Sequence, residues 1–243
     1  MKLVDFLFRF RRLALIVIFF VAFWAPWERL GGAHPGSTWL FLAGTLTAMG
    51  FFSIATSTIV VVAIATLVLL LAASVRTWAT AYLGSHVVYD KDLHSERVVA
   101  DGPYRYVRNP LYLGMWLLTA GLSILMPPGG ALFAMVSVIL LAIALTGAEE
   151  RKLASERGEA YTAYLRQVPR FLPSISPKVA AGTTRPHWFQ GFLGEIHLWG
   201  MALTYVLFAH RYNVLILQQG VLISIGITFL VRAIWRPRIQ VNS

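Results

Sequence analysis

The chain contains no cysteine in 243 residues. That excludes disulfides, thiolate-bound zinc, iron–sulfur clusters and a cysteine nucleophile. Charge is also scarce: 13% of residues are charged and 57% are hydrophobic, where an ordinary soluble domain carries about 25% charge. On that ground a soluble enzyme is not expected. Acids are the scarcest class, 11 against 21 lysines and arginines, for a net charge of +10. The basic residues stand beside apolar runs and form no continuous stripe. They read as a membrane-topology signal and a match to anionic lipid, with no nucleic-acid partner. No solenoid-type repeat interrupts the pattern.

What the chain has in quantity is long uncharged runs. Residues 38–75 carry no charge across 38 residues. As one helix they would rise about 57 Å, against a bilayer core of ~30 Å. Two helices are therefore expected, with a break near the hydroxyl cluster Ser53 to Ser57. Residues 110–148 form a second run of 39 uncharged residues. Pro127-Pro128-Gly129-Gly130 predicts a helical hairpin there, because proline removes donors and glycine permits reversal. Its first arm, 110–126, rises only about 26 Å. Two more spans are expected at roughly 190–209 and 213–234.

Residues 13–27 are uncharged but short of the ~20 residues a crossing needs. Pro26-Trp27-Glu28-Arg29 looks like an interfacial end, and a retained segment is expected rather than a cleaved signal. The fold class is thus all-α: a polytopic membrane protein of about seven apolar helices. Membrane helices at 1–75, a core at 76–178 containing the hairpin 110–148, and two C-terminal helices at 179–243 are the expected divisions.

Polar segments 76–109 and 149–185 share one face, since an even number of crossings separates them. Together they hold twelve basic residues, which points to the cytoplasmic side. The N-terminal Lys2, Arg9, Arg11 and Arg12 disagree. Either residues 13–27 do not cross fully, or those charges are outvoted.

The densest polar cluster runs from Gly102 to Gly114. Gly102-Pro103 predicts a turn, and Asn109-Pro110 a helix start with proline in the first turn. Arg105 and Arg108 then sit just outside a helix N-terminus, which carries unpaired N–H groups and partial positive charge. Two readings fit: an interfacial belt, or a site for a carboxylate or phosphate. Glu149 and Glu150 follow the uncharged run and open a helix with apolar residues at helical spacing through Val168. They read either as a solvated face or as carboxylates at the hairpin base, able to bond a ribose diol or balance a cation.

The stretch from about Arg76 to Pro173 resembles the isoprenylcysteine carboxyl methyltransferase and phospholipid N-methyltransferase group of integral-membrane enzymes. The resemblance is carried by Arg76-Thr77-Trp78-Ala79 with Leu83-Gly84, Val98-Val99, the Gly102–Gly114 block, Glu149-Glu150 with Leu153, Gly158, Tyr161 and Tyr164, and finally Val168-Pro169-Arg170 with Leu172-Pro173. It implies S-adenosylmethionine as cofactor. Its binding residues would be Glu96, Val98, Val99, Tyr104, Arg108, Asn109, Pro110, Leu111, Tyr112, Glu149 and Glu150, with Glu149, Glu150 and Arg108 nearest the chemistry. Asn109 and Glu96 stand where the family commonly has histidine. Leu145 stands where the isoprenylcysteine branch has its substrate arginine, and Tyr89 where it has a loop glutamine. The cofactor side of the pattern is kept more fully than the substrate side.

The expected acceptor is accordingly lipid-like or small, with a phospholipid amine favoured and isoprenylcysteine or a small thiol as alternatives. His86, Arg105, Arg170, Glu195 and Trp199 are the candidate substrate residues. Glu195 and His197 read as interfacial, because an acid within an apolar segment is costly unless paired or at the interface. No metal is needed for transfer from a sulfonium. The rival classes are an NADPH-dependent sterol-type reductase, which should converge more basic residues on its nucleotide, and a non-catalytic membrane protein. The expected location is an integral membrane, the inner or plasma membrane in a prokaryote, with catalytic loops cytoplasmic.

Overall fold

The computed structural model describes residues 10–29, 36–83, 100–211 and 214–234. Among these residues there is no strand. Eight α-helices appear: α1 Arg11–Trp24, α2 Thr38–Ala48, α3 Ile54–Leu83, α4 Pro110–Ser123, α5 Pro128–Gln167, α6 Trp188–Gly194, α7 Ile196–Arg211 and α8 Val214–Ile234. A 3₁₀ turn at Gly102–Arg105 precedes α4.

The all-helical class is as the sequence predicts; the count of seven apolar helices is not reproduced. Among the described residues α3 and α5 are long and apolar enough to cross a membrane. A third span is reached by joining α6 to residues 196–209 of α7 across a 64° bend. As described, α1 rises about 21 Å and α2 about 17 Å, each short of the hydrocarbon thickness.

The chain divides into two compact units, residues 1–72 with 112–161, and residues 73–111 with 162–243. In the first unit, α2 and α3 are separated at 49–53, a break that includes Ser53 of the expected hydroxyl cluster. The break between α4 and α5 falls slightly earlier than expected. Residues 124–127 lie outside the helices, while Pro128, Gly129 and Gly130 already form the first turn of α5. Proline is well suited to that position, because its missing N–H has no intrahelical acceptor there and its φ is preset. Gly130 is needed for closeness: a Cβ there would stand 2.0 Å from the Ala22 carbonyl oxygen of α1. The break is held by α2, whose first N–H groups reach its carbonyls, Thr38 N to Met126 O at 2.7 Å and Trp39 N to Ile124 O at 2.9 Å.

α5 runs on past Glu149 and Glu150, so no new helix opens at those acids. The interruption comes at Gly158, whose φ of 62° is disfavoured for side chains with a Cβ. Its uncharged part, Pro128 to Ala148, rises about 31 Å, close to the ~30 Å hydrocarbon core. The two acids therefore follow directly on a bilayer's thickness of helix. Leu132, Val136, Leu140 and Ile143 are exposed along α5, while Ala134, Val138, Leu141 and Leu145 are buried. An exposed stripe of that size on a long helix is a lipid-facing surface.

In the second unit, small residues let helices close on one another. A Cβ on Gly200 of α7 would meet Ser224 Oγ of α8 at 2.4 Å, and one on Gly220 of α8 would meet Thr204 Oγ1 of α7 at 2.4 Å. Both hydroxyls turn back onto their own helices, Thr204 to Gly200 O and Ser224 to Gly220 O. This is the small-residue packing that membrane helices use where no hydrophobic force separates protein from lipid.

Candidate functional site

The first unit brings Tyr112 and Glu149 together. The Tyr112 hydroxyl donates to Glu149 Oε1 at 2.8 Å. Tyr112 lies in the first turn of α4 and Glu149 beyond the uncharged part of α5, so the bond closes the two helices at the ends remote from residues 124–127. Glu149 Oε2 has no hydrogen-bond partner among the described residues. Glu150 is buried at 9% exposure. Leu145, one helical turn before Glu149, is buried at 2% exposure, so the position of the isoprenylcysteine branch's arginine is apolar and enclosed here.

The second unit holds the Gly102–Leu111 part of the motif, and it is laced to the segment after α5. Arg108 N donates to Pro169 O at 2.8 Å, and Ser174 N to Tyr106 O at 3.0 Å. Lys178 N donates to Arg105 O at 2.8 Å, and Arg105 Nε to Val179 O at 3.0 Å. The Asn109 amide donates to Arg170 O at 3.3 Å, and the Tyr164 hydroxyl to Tyr104 O at 2.9 Å. Residues 101–109 thus run antiparallel to 168–184 with no regular strand. The prolines at 103, 110, 169, 173 and 177 explain the irregularity, since proline cannot donate to a ladder.

The far end of the lacing is a latch. Asp101, 5% exposed, accepts the backbone N–H groups of Gly182 and, at 3.0 Å, Thr184. Burial alone would raise its carboxyl. The Thr184 side chain, the two backbone donors and nearby Arg105 outweigh burial, and the group is held below its ordinary 3.8.

Glu195 has a different task from the interfacial or substrate-lining one expected. It is 0% exposed and forms a bidentate ion pair with Arg76, Nε to Oε2 at 2.8 Å and Nη2 to Oε1 at 2.9 Å. The Thr80 hydroxyl adds a third donor at 2.9 Å. Arg76 Nη1 continues to Leu111 O at 3.1 Å. Trp199 packs within the second unit: its indole N–H donates to Thr77 Oγ1 at 3.0 Å, and its ring lies 5.8 Å from Phe192.

Tyr104 is buried, and Arg105, Arg108, Asn109, Leu111 and Arg170 are half-buried, all in the second unit with Pro110. Arg170 lies 5.7 Å from the Phe171 ring. Tyr112, Glu149 and Glu150 belong to the first unit. His86, Glu96, Val98 and Val99 lie outside the described residues. Sequence reasoning missed Thr80 and Asp101 and gave Arg76 no partner, counting it only among the basic residues of segment 76–109 and in the family motif. The overlooked signal was a pair of lone opposite charges, Arg76 at the edge of one apolar run and Glu195 inside another.

Residues 60–158 match the phospholipid methyltransferase family profile. Over 75 residues the chain is 40% identical to the methanethiol S-methyltransferase of Crocosphaera subtropica, a match covering 31% of this chain and 29% of that protein. Over 93 residues it is 33% identical to the protein-S-isoprenylcysteine O-methyltransferase of Schizosaccharomyces pombe, covering 37% and 39% respectively. The chain therefore spans about a third of the length of these relatives. No solved structure matches. The family and the long apolar helices together make this an integral membrane protein.

Proposed function

We propose that the chain is a membrane methyltransferase that takes its methyl group from S-adenosylmethionine and passes it to a small apolar thiol. The observation that carries this reading is the Tyr112–Glu149 bond, which fixes a carboxylate just beyond a bilayer's thickness of helix within the family-matching segment.

The donor set fits the cofactor. Glu149 and Glu150 are acceptors suited to a ribose diol and to a positive sulfonium, and Arg108 offers the forked donors that a carboxylate takes. Tyr104, Asn109, Pro110 and Leu111 belong to the same motif, with Glu96, Val98 and Val99 as its upstream part. When bound, the cofactor supplies an electrophilic methyl group that needs no metal. The protein's own contribution is orientation, worth about 7–11 kcal/mol where alignment is good. Tyr112 restricts the Glu149 rotamer. With a thiol acceptor the new bond forms at sulfur and the thiol proton must leave. Glu149 is placed to accept it.

Two observations favour a small thiol. The methanethiol enzyme is the more identical of the two relatives. The isoprenylcysteine branch's substrate arginine is replaced by enclosed Leu145, and an anion left unpaired at membrane depth is costly. A phospholipid amine is the second reading, favoured by the description of the matching family.

The test supplies labelled cofactor and one acceptor at a time to the full chain in nanodiscs: a short alkyl thiol, phosphatidylethanolamine or a farnesylcysteine analogue. Methylation of the thiol above the other two is expected. Methylation of the farnesylcysteine analogue alone would overturn the argument from Leu145, and no transfer to any acceptor would count against the activity.

A further inference from the structure

The family-matching segment ends at residue 158, yet the carboxylate that pairs with its Arg76 comes from outside it. Glu195 sits at the bend between α6 and α7, fully buried. Its two oxygens take three donors, two from Arg76 and one from Thr80. That arrangement fixes the plane of the guanidinium. The remaining amine of the fork is thereby aimed at the Leu111 carbonyl, 3.1 Å away.

Leu111 lies in the first turn of α4, and its carbonyl already has a helical donor in the Met115 N–H, four residues on. A second, charged donor is not needed to satisfy it. What the extra bond adds is position, because it ties the start of α4 to α3 and, through Glu195, to the α6–α7 bend. Stability is a weak explanation for such a pair. A buried ion pair gains little over apolar side chains of the same volume, since removing two charges from water offsets their attraction.

We infer that Arg76 and Glu195 are positioning residues: the C-terminal helices, through Glu195, set where α4 begins, and with it the Asn109–Tyr112 part of the methyl-donor site. Thr80 is the third member, holding the carboxylate against rotation. The effect on donor binding rests on the function proposed above; the effect on α4 does not. A chain cut before α6 would keep the family motif and lose its alignment.

Two readouts on the full chain in nanodiscs separate these statements: hydrogen–deuterium exchange over residues 110–118, and calorimetric affinity for S-adenosylmethionine. Three variants are compared with Trp199→Phe, which removes a hydrogen bond from the same helices without touching α4. Arg76→Lys keeps a positive charge for Glu195 but lacks the fork that also reaches Leu111. Glu195→Gln keeps the shape and leaves Arg76 unbalanced. The double variant Arg76→Met/Glu195→Met restores an apolar interior, so it keeps the protein folded should the single variants fail.

In Arg76→Lys and in the double variant, exchange over 110–118 should rise about tenfold and cofactor affinity fall about tenfold, a change of ~1.4 kcal/mol, while Trp199→Phe changes neither. Glu195→Gln, if folded, should behave as Arg76→Lys does. Wild-type exchange over 110–118 in the folded double variant would overturn the inference, leaving the pair as packing alone. Faster exchange in a protein whose wild type binds no S-adenosylmethionine would sustain the positioning of α4 and remove the proposed function instead. Faster exchange with unchanged affinity would refute the link to the donor site.

Discussion

The surroundings of Glu195 and of Glu149 are built to opposite ends. Both acids follow apolar helix, and both accept a hydrogen bond from a hydroxyl on another helix. Glu195 takes three donors and is closed to solvent. Glu149 takes one, from Tyr112, among the described residues. A carboxylate whose acceptor capacity is filled by the protein fixes geometry. One with capacity remaining on a restrained rotamer is free to accept a further donor, which is the role proposed for Glu149. The difference teaches that an acid beside a membrane span is classified by counting its donors, since its neighbours in sequence look alike in both cases.

The sharpest way to break that contrast is to remove each acid. Glu195→Ala strands the half-buried Arg76 charge and should cost up to about 3 kcal/mol of stability, read as a large fall in the detergent melting temperature. Glu149→Ala removes one hydrogen bond and should cost only about 1 kcal/mol in the same melt. Equal losses would dissolve the distinction.

A smaller effect is expected at the latch of the second unit. Asp101→Asn keeps the shape but lacks the charge and the second acceptor oxygen for Gly182 and Thr184, at a cost of about 1 kcal/mol. Because the Asp101 carboxyl is held below its ordinary 3.8, its contribution is present above that pH. It is lost as pH falls from 3.8 through the lower folded value. The wild type should lose this increment in acid while Asp101→Asn should not. Parallel melting curves against pH in the two proteins would contradict the latch.

The smallest effect on stability belongs to Tyr112→Phe. It should change the melting temperature by no more than a lost hydrogen bond of about 1 kcal/mol, while loosening Glu149 and weakening cofactor binding. A variant that binds the cofactor as the wild type does would show that the Tyr112–Glu149 bond is not part of the site.

Much of the fold was legible from the placement of uncharged runs, because hydrocarbon imposes length on any helix that crosses it. Pro110 also marked a helix start correctly, since its ring suits the first turn. The boundaries around Pro128 and Glu149 were misplaced for physical reasons. Proline reads equally as a break and as a first helical residue, and charge does not end a helix that has already left the apolar layer. Gly158, with its positive φ, ends the regular stretch instead. At the site, Glu149 was placed at the base of the expected hairpin, and Tyr112 joined it only through the family resemblance. Arg76 and Glu195 were not, because 119 residues separate them and no local spacing carries such a contact. Asp101 was missed for the same reason: its donors, Gly182 and Thr184, are backbone groups that sequence composition does not mark.

The central claim is that Glu149 belongs to a site for S-adenosylmethionine. Its most direct test is calorimetric titration of S-adenosylmethionine, with NADPH in parallel, into nanodisc preparations of the wild type and Glu149→Gln. The account predicts that the wild type binds S-adenosylmethionine and not NADPH, and that Glu149→Gln melts near the wild-type temperature with affinity reduced about tenfold or more, at least ~1.4 kcal/mol. Binding of NADPH in place of S-adenosylmethionine, or equal affinity in the two proteins, would contradict it.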